Sequence, residues 1–397
     1  MRDGWVETTL GDVAEWWSGG TPKAREPKYY ENGTIPWAVI ADMHKGIIDS
    51  TNSYITKEAL ERIGSRLAPA GSVLISMYAS VGKSAIANIP LATNQAIAWS
   101  IPNQKKIIPF YLYLVSQQLE KEISGSARGA TQKNINRQML REFSFQLPPL
   151  PEQKRIVDLI SSVDTYIEAL QQQVESARRS RNAVLHELLA AGGEDWVDVS
   201  LGQIADWGSG GTPKSDNDEF YGGTIPWCVI GDLTEDDVWE TKKTITQLGL
   251  SNSSAKIIDP GSVLLAMYGA SIGRTGISAI GMATNQAIAY AKCQDSLVLP
   301  KYLLLFLQTQ KTKFVEMGQG AAHPNISQAL IKSWAISLPL IDQQKIIVGR
   351  VDSFTKLITQ GESVLHASCN LRSSLLSELL SGNHEIPVTY DEIMGAA

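Results

Sequence analysis

The chain contains one long segment twice. Residues 5–23, WVETTLGDVAEWWSGGTPK, return at residues 196–214 as WVDVSLGQIADWGSGGTPK, a shift of 191 residues. Later segments keep the same order and nearly the same shift, with TIPW again at 224–227 and ATNQAIA again at 283–289. Solenoid repeats are about 20 to 50 residues long, so this unit is instead a duplicated domain with its connector. Two copies of one surface indicate a ligand with two comparable parts at a fixed separation.

Length and composition are those of an ordinary soluble protein. The 397 residues predict two or more domains, and an apolar share of 43% is sufficient for their cores. The sequence has no run of about 18 apolar residues, and its start, MRDGWVETT, lacks the apolar core of a signal peptide. Cys228, Cys293 and Cys369 are isolated and odd in number, which argues against a disulfide framework and a zinc site. We therefore expect a cytoplasmic protein.

The charge is unevenly distributed along the chain. The net charge is −6, whereas nucleic-acid binding normally needs a basic surface. Residues 1–150 carry 16 basic and 13 acidic side chains, and residues 196–341 carry 10 basic and 13 acidic ones. If the chain binds DNA, we expect the non-specific electrostatic attraction to come largely from a partner.

Each copy begins with a predicted α+β domain. LGDVAEW and LGQIADW predict a short helix or strand that leads into an SGGTPK turn. IPWAVI, SVLISMY and AIAWSI are rich in β-branched and aromatic residues and predict strands. The runs at 109–123 and 300–315 begin at Pro and have helical spacing.

A long segment without Pro follows each domain, after LPPLPEQ (147–153) and LPLIDQQ (338–344). Residues at alternating spacings of four and three form the heptad seam of a coiled coil. The first seam is Ile156, Ile160, Val163, Ile167, Leu170, Val174, Ala177, Arg181, Val184 and Leu188. The second seam is Ile347, Val351, Phe354, Ile358, Gly361, Leu365, Ser368, Arg372, Leu375 and Leu379.

Mutual packing of the two seams would bury both of them. The alternative is that each helix packs separately on its own domain. We favour an antiparallel pair, which would place the domains at opposite ends of a rod with a pseudo-twofold axis. The predicted boundaries are two globular domains at 1–150 and 194–341, helical spacers at 151–193 and 342–382, and a tail at 383–397.

Catalytic motifs are missing from the sequence. VGKS at 81–84 resembles the end of a P-loop, but Met77 stands where the first Gly is required, and the second copy has Arg274 and Thr275 instead of Lys and Ser. The five His residues are dispersed, and no serine-hydrolase elbow or zinc-protease helix occurs. A duplicated active site should keep its acid, base or nucleophile in both copies. We therefore predict a non-catalytic chain with no metal site and no cofactor of its own.

Small, polar and aromatic residues are what the two copies share, and they are candidates for DNA contact. Asn and Gln can pair with adenine, Arg and Lys with guanine, and hydroxyl groups with phosphates. The shared candidates are Thr21, Lys23, Tyr78, Lys83, Asn94, Gln95, Thr212, Lys214, Tyr268, Arg274, Asn285 and Gln286. Thr-Asn-Gln could equally form an internal turn that fixes the fold, and the residues alone leave both interpretations open. Trp37 and Trp227 are assigned to the core.

Other loops differ between the copies. Thr131, Gln132, Lys133 and Asn134 correspond to a segment that contains His323 and Asn325, and we add these residues to the candidates. The loop at 41–50 corresponds to the acidic loop at 231–240. A constant frame with varied polar loops predicts two readers of different base sequences. Drift of surface loops is the alternative.

The order of these motifs, present twice, resembles the specificity subunit of a type I restriction–modification system. The resemblance depends on the W-x-x-x-x-L-G opening, the SGGTP turn, IPW, GSVL, ATNQ, and the LP-rich lead into a long helix, and it covers essentially the whole chain. It implies that each globular unit is a target recognition domain for half of a bipartite DNA site. The helices would form an antiparallel coiled coil that docks two methyltransferase subunits, with the seam residues lying on these partner-binding helices.

The resemblance also implies where the chemistry takes place. S-adenosylmethionine, ATP and Mg would bind to the methyltransferase and restriction or translocase subunits, in the cytoplasm of a bacterium or archaeon defended against phage. Because the two recognition domains are so alike, their half-sites are expected to be related. Two other hypotheses remain: an enzyme that itself modifies or cuts DNA, and a coiled-coil interaction protein that binds no nucleic acid.

Overall fold

A computed structural model describes residues 4–127, 134–318, 325–387 and 389–390. The chain divides into two compact units. Unit 1 comprises Met1–Gln171 and Val364–Ala397, and unit 2 comprises Gln172–Ser363. Each unit contains one globular domain with helices and strands, together with part of each long helix. The predicted α+β class is confirmed.

The first globular domain has short elements, because Gly, Pro and Asn interrupt its apolar runs. Its strands are β1 (Val6–Thr9), β2 (Ala14–Ser18), β3 (Ile35–Ala38), β4 (Ile47–Ile48), β5 (Tyr54–Ile55), β6 (Val73–Ser76), β7 (Ser84–Ala87), β8 (Ala92–Thr93), β9 (Ile97–Pro102) and β10 (Ser144–Leu147). Its helices are α1 (Leu10–Val13), α2 (Lys57–Arg62), α3 (Pro109–Gln118), α4 (Glu120–Ser126) and α5 (Arg137–Arg141). The first long helix, α6 (Leu150–Ala190), follows.

The second globular domain repeats this order. Its strands are β11 (Val197–Ser200), β12 (Ala205–Ser209), β13 (Tyr221–Cys228), β14 (Asp237–Val238), β15 (Thr244–Ile245), β16 (Ile257–Ile258), β17 (Val263–Ala266), β18 (Thr275–Ser278), β19 (Met282–Thr284), β20 (Ile288–Cys293) and β21 (Ala335–Leu338). Its helices are α7 (Leu201–Ile204), α8 (Gln247–Ser251), α9 (Pro300–Thr309), α10 (Lys311–Gly318) and α11 (Gln328–Ser333). The second long helix is α12 (Ile341–Leu380).

A five-stranded sheet is the centre of each domain. Its strand order is β2-β9-β6-β7-β4 in unit 1 and β12-β20-β17-β18-β14 in unit 2. Strand β6 is buried on both faces: Val73 and Ile75 pack in the cluster that contains α3, and Leu74 packs in the cluster that contains Trp99. The strands predicted from IPWAVI, SVLISMY and AIAWSI are confirmed, as are the helices in 109–123 and 300–315.

The long helices are also confirmed, and every predicted seam position is buried or half-buried. In unit 1, Ile156 and Ile160 near the start of α6 lie in one cluster with Leu376 and Leu379 near the end of α12. In unit 2, a Cβ atom on Gly361 would lie 2.7 Å from Val174 Cγ2, and Arg181 contacts Thr355. As residue numbers rise along α6, those of the contacted α12 residues fall. The two helices therefore run antiparallel within each unit.

The arginines of the two seams occupy equivalent places with different partners. In unit 1, Arg372 Nε donates to Asp164 Oδ1 at 2.6 Å and its Nη2 donates to Oδ2 at 2.9 Å, while Nη1 donates to Gln117 on α3 at 3.3 Å. In unit 2, Arg181 donates to Thr355 and Gln308, which correspond to Asp164 and Gln117. Each arginine thus joins one helix to the other helix and to the globular domain.

Carboxylates from another element lie close to Arg181. Burial lowers its pKa, and the charges of Asp236, Glu235 and Asp352 act in the opposite direction. Asp236 and Glu235 belong to the acidic loop of unit 2. By contrast, the hydrogen bond that Arg372 donates to Asp164 raises the pKa of Arg372. The negative charge is on the facing helix in unit 1 and largely on the loop in unit 2.

We predict that Asp164→Ala destabilises unit 1 by about 1–3 kcal/mol, because it leaves the half-buried Arg372 guanidinium without its carboxylate. Amide hydrogen exchange measures the loss, in unit 1 for this substitution and in unit 2 for its control. Thr355→Ala is the matched control, and it should cost less because it removes only a hydroxyl acceptor. Equal losses for both substitutions would contradict this account.

The SGG turn is held against the segment that precedes β9. Gly20 N donates to Thr93 O at 3.0 Å, and a Cβ atom on Gly19 would lie 1.9 Å from that same oxygen. In unit 2, a Cβ atom on Gly210 would lie 2.1 Å from Thr284 O. Glycine is required here by close approach of two backbones.

Gly19→Ala is therefore expected to lower the free energy of unfolding by about 2–3 kcal/mol, because the backbone of β8 must move. Thermal denaturation checks this. Gly125→Ala is the control, since Gly125 lies in α4 and a Cβ atom there has open space. It should be neutral or stabilise by up to about 1 kcal/mol. A harmless Gly19→Ala substitution would be inconsistent with the close contact.

Candidate DNA interface

The candidate residues of each unit converge on one end of the five-stranded sheet. Strand pairing aligns Ser18 with Ala98, Ser76 with Ile97, and Ile75 with Ser84. The end of β2, the start of β9, the end of β6 and the start of β7 are therefore adjacent. Unit 2 has the same pairing at the corresponding ends of β12, β20, β17 and β18. We call this region the sheet end. It brings together the SGGTPK turn, the ATNQ segment and the loop after β6, which are far apart in sequence.

An exposed tyrosine lies at each sheet end. Tyr78 and Tyr268 are each 41% exposed, and they form backbone bridges with Asn134 and Asn325. Ile135 N donates to Met77 O at 3.1 Å, and Ile326 N donates to Met267 O at 3.0 Å. The chain at Met77 therefore lies beside Ile135 in unit 1, and the chain at Met267 lies beside Ile326 in unit 2. Whether the side chains contact DNA stays a prediction.

The residue after this tyrosine has a left-handed backbone in both copies. Ala79 has φ of 59°, and its counterpart Gly269 has φ of 68°. A left-handed conformation costs an alanine about 1–2 kcal/mol, whereas glycine adopts it freely. This turn sets the direction of the loop that follows the exposed tyrosine. Backbone strain of this kind is often found at binding sites.

The Thr-Asn-Gln segments are largely occupied by internal hydrogen bonds. Asn94 Oδ1 accepts from Ala96 N at 3.1 Å, and Asn285 Oδ1 accepts from Ala287 N at 3.2 Å. Thr21 donates to Gln95 Oε1, and Thr212 donates to Gln286 Oε1. Thr93 and Thr284 are fully buried. These contacts give the segments the internal role that the sequence left open. The exposed amides of Gln95 and Gln286 remain candidates for contact.

The basic candidates differ in how freely they can reach a ligand. Lys23 and Lys214 are exposed, and Lys23 Nζ lies 3.4 Å from a Glu26 carboxylate oxygen. Lys83 is half-buried and its ammonium contacts His44, whereas Arg274 donates to Leu233 O at 2.7 Å. These two side chains therefore also support the neighbouring loops. Thr131, Gln132, Lys133 and His323 lie outside the described residues.

The residues named on the partner-binding helices face their own chain. Ile156, Ile160, Ile167, Ile347, Val351 and Ile358 are buried, and Leu170 and Leu365 are half-buried. A partner would therefore meet the opposite faces of α6 and α12. Contact between these helices and another subunit stays a prediction.

Chemical groups suited to catalysis are scarce in the described part of the chain. It contains no group of three or more His, Cys, Asp or Glu side chains that could hold a metal ion. Burial raises the pKa of the Cys228 and Cys293 thiols to about 12, which keeps them protonated and unreactive. Buried Asp42 accepts backbone bonds from Val39 and Asn52, so it supports a turn. Each described helix is too short or too polar to cross a lipid bilayer.

Sequence reasoning missed some polar residues of structural importance. Gln153 and Gln344, at the start of the long helices, are fully buried and hydrogen-bonded to loop backbone. Their recurrence at matching positions was the available signal. The contact between His44 and Lys83 had no such signal, because His44 has no counterpart in the second copy.

Comparison with known proteins identifies the family. The sequence pattern of the type I restriction modification DNA specificity domain matches residues 2–176 and again residues 193–365. The chain belongs to the specificity-subunit family of type I restriction–modification systems. The resemblance stated from the motifs is thereby confirmed, and each match covers one globular domain and part of a long helix.

Relatives of this specificity-subunit family are similar over part or most of the chain. The Type I restriction enzyme EcoR124I/EcoR124II specificity subunit of Escherichia coli is 30% identical over 42% of this chain and 42% of its own length. The MjaIX specificity subunit of Methanocaldococcus jannaschii is 23% identical over 95% of this chain and 93% of its own. The crystal structure of an S subunit from M. genitalium has the same fold, with a TM-score of 0.55, 14% identity and 98% coverage of both chains.

We predict that Ala79→Gly stabilises unit 1 by about 0.5–1 kcal/mol, because it removes the left-handed strain. Chemical denaturation measures the change. Gly269→Ala is the reciprocal variant and should destabilise unit 2 by a similar amount. If both substitutions shifted stability in the same direction, the turn would not be strained at Ala79.

Proposed function

We propose that this specificity subunit is a non-catalytic scaffold that reads a bipartite DNA target, one half with each globular domain. The observation that carries the proposal is the duplicated sheet end, where exposed polar residues and one exposed tyrosine converge in both units. A constant frame with different neighbouring loops suits two readers of related but different half-sites. Exposed tyrosine hydroxyl and amide groups can hydrogen-bond to base edges, and an aromatic ring can pack on a thymine methyl group.

The long helices would set the separation between the half-sites. Their outer faces would dock two methyltransferase subunits, and restriction subunits would join in the full complex. Each unit also has a groove between the helix pair and the globular domain. One of about 600 Å³ in unit 1 is lined by Phe110, Tyr113 and Arg372, and one of about 300 Å³ in unit 2 is lined by Arg181 and Thr355.

The chemistry would belong to these partners, which would bind S-adenosylmethionine, ATP and Mg in the cytoplasm. The net charge of −6 agrees with a chain that relies on them for most phosphate contacts. In this scheme the present chain supplies base-sequence selection and the distance between the two modified positions.

The test uses the chain assembled with the methyltransferase subunit of its own source. Tyr78→Ala should slow methylation about 10- to 100-fold and relax selection in one half of the target, since a base-edge contact in the major groove contributes about 1–3 kcal/mol of discrimination. Tyr268→Ala should do the same in the other half. Methylation rates on duplexes with single base changes in either half measure both effects.

Tyr54→Ala is the matched control, because Tyr54 is 43% exposed but lies on β5, outside the sheet end. It should leave both halves unchanged. The proposal fails if Tyr78→Ala and Tyr268→Ala alter the same half, or if the purified chain alone transfers methyl groups.

A further inference from the structure

The start of each long helix is tied to its globular domain by one buried glutamine. In unit 1, Gln153 Oε1 accepts from Ile108 N at 2.9 Å, and its Nε2 donates to Lys106 O and Pro148 O, each at 2.9 Å. Gln153 is fully buried. The side chain therefore connects α6 to the loop before α3 and to the residues that follow β10.

The same three bonds recur in unit 2. Gln344 is fully buried, its Oε1 accepts from Leu299 N at 2.9 Å, and its Nε2 donates to Leu297 O at 2.8 Å and Pro339 O at 2.9 Å. Each partner is the exact counterpart of one in unit 1, 191 residues later. Both amide N–H groups are used, which is the full donor capacity of the side chain.

Hydrogen bonds and apolar packing contribute differently at this junction. Ile156 and Ile160 bury apolar surface against the domain, which stabilises the contact without specifying an angle. Hydrogen bonds weaken steeply when their angle departs from linear. Three of them, from one rigid amide to three points of the domain, define the direction in which the helix leaves.

We propose that Gln153 and Gln344 are positioning residues that fix the angle between each globular domain and its long helix, and thereby determine how strictly the DNA spacing is selected. This inference rests on the proposed reading of a bipartite target. The centre of a domain of this size lies about 20 Å from a junction at its surface, so a rotation of about 10° displaces that centre by about 3.5 Å, close to one base-pair step. A small loosening at the glutamine is therefore sufficient to admit a wrong spacing.

The test compares spacings on the chain assembled with the methyltransferase subunit of its own source. Duplexes carry both half-sites at the wild-type separation, or at one base pair more or less, and the methylation rate is measured on each. Gln153→Met keeps the approximate length and volume of the side chain but removes all three hydrogen bonds. It should raise the rate on the wrong spacings, relative to the correct one, by about tenfold, with the selected bases of each half unchanged.

Two further variants separate positioning from general destabilisation. Gln153→Glu keeps the acceptor for Ile108 N but lacks both donors, so it should also broaden the spacing. Ile48→Val, or Ile48→Ala if a larger effect is needed, reduces a separate core cluster of the same unit and is chosen to match the loss in Tm. It should leave the spacing ratio unchanged.

The inference is overturned if Gln153→Met and Gln153→Glu slow methylation equally at all spacings, or if the Ile48 control broadens the spacing as much. A different result would contradict the proposed function itself: the wild-type complex would then methylate no two-part sequence at all. Gln344→Met repeats the test in unit 2 and should broaden the spacing in the same way.

Discussion

The constraint on which the rest of each unit depends is that the apolar seams of α6 and α12 must be buried. An isolated helix in water gains little from propensity alone, so α6 and α12 depend on burial of their seams. In unit 1 one continuous cluster includes Val73 of the central sheet, Tyr111 of α3, Ile160 of α6 and Leu376 of α12. The sheet, the packing helix and both long helices therefore share one core. Each domain with its helical segments should fold as a single cooperative body.

Apolar burial holds the two helices together but does not select particular partner residues. Within the shared core, the hydrogen bonds and charges of the seam arginines select those partners. Arg372 and Arg181 hold the same position in the two units, although one faces Asp164 and the other faces Thr355. The acidic loop of unit 2, with Glu235 and Asp236, supplies negative charge near Arg181. A half-buried cation is thus accommodated in both copies with its counter-charge on different elements. The same two carboxylates also form ion pairs with Lys311 and Lys301, so part of the acidic balance of the second domain is neutralised within the unit.

Much of the fold follows from the sequence because its signals are periodic or repeated. The seam residues, the strands in IPWAVI and SVLISMY, and the burial of Trp37 were predictable from local pattern and from duplication. The candidate site was predictable only in outline. Register between strands brings the SGG turn, ATNQ and Tyr78 together, and register is a long-range property that composition does not reveal.

Individual polar roles at the site were least predictable. Asn94 has the right chemistry for adenine, yet its oxygen accepts a bond from a backbone amide two residues later. The residue type alone does not distinguish a side chain that pairs with adenine from one that accepts a bond from its own backbone. The left-handed turn at Ala79 was equally hidden, because alanine normally avoids that conformation. The repeat offered one clue, since glycine replaces alanine in the second copy.

One aromatic site shows how the copies have diverged. In unit 1, Trp17 stacks on Trp99 with ring centroids 6.1 Å apart, and Arg66 lies over Trp17. In unit 2 the counterparts are Gly208 and Tyr290, and a Cβ atom on Gly208 would lie 2.3 Å from the tyrosine ring. Replacing Gly208 alone by Trp would produce a clash with Tyr290, and replacing Trp17 alone by Gly would leave a cavity beside Trp99. The two members of each pair are therefore adjusted to one another, and a hybrid of the two copies keeps this packing only when both members are exchanged together.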